Sequence, residues 1–66
     1  MKREGIRVEG HVGTWYVIDE WEERGLFLLE HEKYGDEAAC VIVDSEGNLV
    51  MEDVWNGFED YEEVFA

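Results

Sequence analysis

Ala38-Ala39-Cys40-Val41-Ile42-Val43-Asp44-Ser45-Glu46-Gly47-Asn48-Leu49-Val50-Met51-Glu52 reads as two strands joined by a turn, and this hairpin decides the fold. Val41, Ile42 and Val43 are consecutive β-branched residues, which suit a pleated surface better than a helix. The run over 38–43 is apolar on both faces, the pattern of a central strand covered on each side. Asp44, Ser45, Gly47 and Asn48 form turns, and Gly47 and Asn48 tolerate positive φ. The chain then returns as a strand over 49–52.

Upstream, Thr14-Trp15-Tyr16-Val17-Ile18 is rich in β-branched and aromatic residues and predicts a strand. Residues 19–25 are polar, end in Gly25 and predict a loop. Residues 26–32 form a second apolar run, short enough for a strand, and 34–37 are turn-like. Residues 1–12 are mixed; Ile6, Val8 and Val12 alternate loosely with polar residues and suit a short edge strand or a frayed terminus. Downstream the period changes. Phe58, Tyr61, Val64 and Phe65 fall on one helical face, with Asn56 as N-cap and Glu59 as its capping-box partner. The result is an α+β fold in one domain over 1–66: a small antiparallel meander of four to five strands, with some curl toward a partial barrel, and one C-terminal helix. The predicted core is Trp15, Val17, Leu28, Val41, Val43, Val50, Phe58, Tyr61 and Phe65, with Trp55 also assigned inside. A one-residue slip would exchange the two strand faces.

The 66 residues carry 18 acids and 5 bases, a formal charge of −13, with 45% hydrophobic and 14% aromatic residues. The apolar and aromatic content argues for a folded core. The charge argues against direct nucleic-acid binding, which needs cations to neutralise phosphates, and against anionic membrane surfaces. It favours a protein partner, basic by complementarity. No apolar run approaches the length of a membrane span, and the start lacks a signal peptide's apolar stretch. With the lone Cys40, this points to the cytoplasm.

Catalytic and metal chemistry find little support. The order Asp44, Glu46, Asn48 is close to a calcium loop's, but Gly47 stands fourth, not sixth, and a hairpin turn accounts for it. His11, His31 and Cys40 lack zinc-ligand spacing. Cys40 lies in an apolar run where thiols are inert, and His31 reads as a surface histidine without a role. The reading is a non-enzyme with no cofactor and no metal. What remains is the surface. Trp21 in a charged segment is the tryptophan best placed for exposure and for interface use. With Glu22, Glu23, Glu59, Asp60, Glu62 and Glu63 it makes the candidate interaction surface. The same carboxylates, joined by Glu20, could imitate the phosphates of a duplex and occupy a DNA-binding protein, although a solvated, solubilising face is the plainer reading. An apolar second face of the sheet would also suit a homodimer or a protein partner.

Four stretches, residues 13–19, 29–32, 34–39 and 53–58 (Asp53-Val54-Trp55-Asn56-Gly57-Phe58 the last), resemble a family of small gut-bacterial domains of unknown function linked to conjugative elements, and the related large polyvalent protein-associated domains. The resemblance spans 13–60. It implies a bacterial cytoplasmic module of a mobile element and transfers no catalytic residue or cofactor.

Overall fold

The computed structural model describes residues 5–35 and 37–65. Strands β1 (Trp15–Trp21), β2 (Leu26–His31), β3 (Cys40–Asp44) and β4 (Leu49–Val54) form one antiparallel sheet in the order β1-β2-β3-β4, followed by helix α1 (Phe58–Phe65). The four-stranded meander with its C-terminal helix is as predicted. The sheet stays open, with β1 and β4 at its edges and no closure into a barrel. Part of the predicted terminal segment, before Gly5, lies outside the described residues. Within the rest, Ile6 makes one bridge to Trp15, each N–H donating to the other's carbonyl at 2.8 Å.

The turn between β3 and β4 is organised by Asp44. Its Oδ1 accepts from the Glu46 and Asn48 N–H groups, each at 2.9 Å, and the Asn48 amide donates to Oδ2 at 3.3 Å. These bonds, the Asn48 N–H first among them, hold the Asp44 carboxyl below its ordinary pKa.

Both faces of the sheet are packed. Val8, Trp15, Leu29, Val41 and Val43 form one buried cluster, flanked by Val17, Phe27 and Leu49. Leu26, Leu28, Ile42 and Val54 form the other, flanked by Trp21, Cys40, Val50, Met51, Phe58 and Tyr61. The first face is therefore covered in part by this chain's own N-terminal segment, through Val8, which is 3% exposed. The question of which strand face points inward has the answer that both do, with alternate residues of β2 and β3 feeding opposite clusters.

Two sequence expectations need correction. Asp19-Glu20-Trp21, predicted as loop, continues β1, because Glu20 and Trp21 pair with Phe27 and Leu26 across the ladder. Phe65 and Trp55, assigned to the core, are 55% and 61% exposed. Val54 turns inward and is fully buried, while Trp55 lies in the short connection between β4 and α1; Phe65 ends the helix.

Bulges set which side chains face which cluster. In β1 the pairs Val17–Leu29 and Asp19–Leu28 leave Ile18 as an extra residue. Trp15 and Trp21, an even number of positions apart, would share a face in a regular strand. With the bulge, Trp15 joins the first cluster and Trp21 the second. In β4 the ladder shifts between Leu49 and Met51, and again between Met51 and Val54. Asp53, at φ +55, is the positive-φ non-glycine among the described residues and lies in the second shift. Its conformation carries Val54 to the helix side.

Candidate protein-interaction surface

The end of β1, the 3-10 turn Glu22–Arg24 and α1 come together around Trp21. Gly25 ends the turn in the left-handed conformation, φ 65 and ψ 38, with its N–H donating to the Glu22 carbonyl at 3.2 Å. A side chain there would be strained, which is why glycine suits this corner. The compact turn brings Arg24 back over the Trp21 ring, its Cζ 5.0 Å from the ring centroid and 6.0 Å from that of Tyr61.

Helix α1 supplies the other wall. Phe58, Tyr61 and Phe65 lie along one side of the helix. The Trp21 ring meets Phe58 edge-on at 5.5 Å and Tyr61 at 6.1 Å, and Tyr61 lies 4.8 Å from Phe65. The two Trp21 contacts are the edge-to-face arrangement that aromatic quadrupoles favour. Trp21 and Tyr61 are half-buried, whereas Val64 and Phe65 are mainly exposed. A contiguous aromatic surface thus begins against the core at Phe58 and emerges into solvent at Phe65.

Acidic residues adjoin it in sequence. Glu20, Glu22 and Glu23 are exposed on the strand end and turn, and Glu59, Glu62 and Glu63 are exposed on the helix. Of the predicted surface, Trp21, Glu22 and Glu23 therefore belong to one segment and Glu59, Asp60, Glu62 and Glu63 to the other, joined through the rings. Asp60 has a different task. Its Oδ2 accepts from the Trp55 and Asn56 N–H groups at 2.8 and 3.1 Å, and its Oδ1 from the Asn56 amide at 3.2 Å. Asn56 thus acts as a donor to Asp60 and not as the predicted cap paired with Glu59, because the carboxylate one residue later takes the Trp55 and Asn56 N–H groups ahead of the helix. Arg24, Tyr61 and Phe65 were missed as surface residues. The helical period marks Tyr61 and Phe65 as apolar but does not show that the helix outruns its cover.

The hydrogen bonds, led by that of the Trp55 N–H, hold the Asp60 carboxyl below its ordinary pKa. A lowered folded-state value means stability that is present above the unfolded value and lost as pH falls through the folded one. Asp60→Ala should therefore lower Tm at neutral pH and flatten the loss of Tm below about pH 4, the unfolded carboxyl range. Thermal melts across that range check this; an identical acid slope in the variant would contradict it.

A concavity of about 560 Å³ lies apart from this surface, by Val12, Gly13, Trp15, His31, Lys33 and Tyr34. His31 is not the idle surface residue of the sequence reading. Its Nδ1 accepts from the Lys33 N–H at 3.1 Å, which leaves Nε2 as the donor to the Val12 carbonyl at 3.2 Å. The ring also meets Trp15 edge-on and lies beside Tyr34, both at 5.1 Å. With both nitrogens engaged, His31 ties the N-terminal segment to β2. Trp15 is 5% exposed and its buried indole N–H has no hydrogen-bond partner among the described residues. Among the described residues no group of three or more His, Cys, Asp or Glu side chains is placed to hold a metal ion. No helix of the described residues is long and apolar enough to cross a membrane.

Compared with known proteins, residues 1–65 match the family model of large polyvalent protein-associated domain 18. No curated protein and no solved structure matches the chain.

Proposed function

The chain belongs to the large polyvalent protein-associated domain 18 family, and we propose that it is a non-catalytic binding module that docks a basic protein partner. The observation that carries this is the emergence of the Trp21–Tyr61–Phe65 ring system into solvent on two segments whose neighbouring acids are exposed. Interfaces favour such a layout: an aromatic centre that excludes water, with charges at the rim that set partner choice and association rate. The mobile-element setting and the bacterial cytoplasm belong to the same proposal; they rest on the resemblance over 13–60 and on the lone cysteine, half-buried in β3. A second copy of the chain is the less suited partner, since each copy brings a charge of −13.

The acidic side of α1, where Glu59, Glu62 and Glu63 are exposed, favours one further reading: a nucleic-acid mimic that occupies a DNA-binding protein. One experiment separates the two. The tagged domain and its Phe65→Ser and Glu62→Lys/Glu63→Lys variants are used to capture proteins from a nuclease-treated bacterial lysate over a salt series. A basic protein retained by the native domain and lost with Phe65→Ser is the expected result. A captured protein indifferent to Phe65, released by duplex DNA and by modest salt, would establish the mimic instead. Capture that neither variant changes would discard this surface.

A further inference from the structure

Arg24 marks what the surface is built to hold. Its guanidinium lies over Trp21 and within reach of the Tyr61 face, and among the described residues it forms no ion pair despite the acids on either side. The two rings thus already receive a guanidinium, held by ring faces alone. A cation–π contact at an exposed site is weak and easily exchanged. We propose that the Trp21–Tyr61 pair is an arginine seat: a basic segment of a protein partner places an arginine side chain there and displaces Arg24, which fills the seat in the unbound domain. This deepens the binding-module reading above and rests on it.

Two features support arginine over a general cation, and a third favours a basic segment as its carrier. The planar guanidinium stacks on aromatic faces and sheds water more readily than an ammonium. Glu22, Glu23 and Glu62, exposed and next to the ring residues in sequence, are carboxylates of the kind that a guanidinium fork binds in pairs. The surrounding charge of −13 draws a basic segment in and holds it only loosely without such a contact.

The test uses short oligo-arginine and oligo-lysine peptides of equal length, titrated into the whole domain by calorimetry, with the Trp21 indole N–H resonance followed by NMR. Oligo-arginine should bind about three- to fivefold more tightly than oligo-lysine, the size of an exposed cation–π contact, and should move the Trp21 resonance. Arg24→Ala should tighten oligo-arginine by a similar factor, and Arg24→Lys by less. Both variants change an exposed turn residue, so the fold is retained and a melt confirms it. Equal affinities for the two peptides, or a Trp21 resonance that stays still, would overturn the seat and leave a surface that reads charge only. Binding of neither peptide would overturn both the seat and the basic-partner reading.

Discussion

Gly13→Ala is expected to destabilise the domain by about 3 kcal/mol, a large part of the total for a chain of this size. Gly13 has φ +91, where an L side chain is strained. An added Cβ would overlap His31 Nε2 and lie 3.1 and 3.3 Å from Cε1 and Cδ2. The ring cannot swing aside cheaply, because Trp15, Tyr34, the Val12 carbonyl and the Lys33 N–H hold it from four directions. Urea denaturation of Gly13→Ala, His31→Ala and the double variant separates the two causes. The glycine substitution should cost clearly less in the His31→Ala background, where only backbone strain remains. Equal costs in both backgrounds would mean that the imidazole does not require the glycine.

Ile42→Ala should cost about 2–5 kcal/mol, the range for emptying a well-packed aliphatic site. Ile42 is 0% exposed, lies on central β3 and shares its cluster with Leu26, Leu28 and Val54 beneath Phe58. The cavity would open on the side of the sheet that carries the helix, so the aromatic surface should loosen with it. Phe65→Ser provides the contrast. At 55% exposure its loss should change stability by less than about 1 kcal/mol while weakening partner capture. Urea midpoints measure both, and a Phe65→Ser midpoint as low as that of Ile42→Ala would show that the side chain belongs to the core.

The sequence exposes some of this architecture and hides the rest for physical reasons. The hairpin from Cys40 to Val54 is legible because its signals are local: β-branched residues, a turn with Asp44 and Gly47, and a return strand. The need to cover both faces of β3 is legible too, but the cover by Val8 depends on a distant segment folding back. Asp19 and Glu20 look like loop because acids are poor strand formers; their strand state comes from the β2 ladder. The place of Trp21 was readable only as exposure in a charged stretch. Its partners Tyr61 and Phe58 follow from a bulge that no local pattern announces. Asn56 and Glu59 satisfied the helix-start pattern, but Asp60 takes the Asn56 N–H that Glu59 was to cap, together with that of Trp55.

The bulges that aim Trp21 and Val54 also shape how the domain behaves in a crowd. An open sheet with flat edges offers a ready template for another strand, and apolar runs such as Val41-Ile42-Val43 are the kind that stack into fibrils. Both outer strands are irregular: β1 at Ile18, β4 at Val50 and again beside Asp53, with exposed Asp19, Glu20, Glu52 and Asp53 along them. An incoming strand would find its hydrogen-bond spacing broken and its approach charged. The domain can therefore keep a strongly apolar centre at high concentration without polymerising edge to edge.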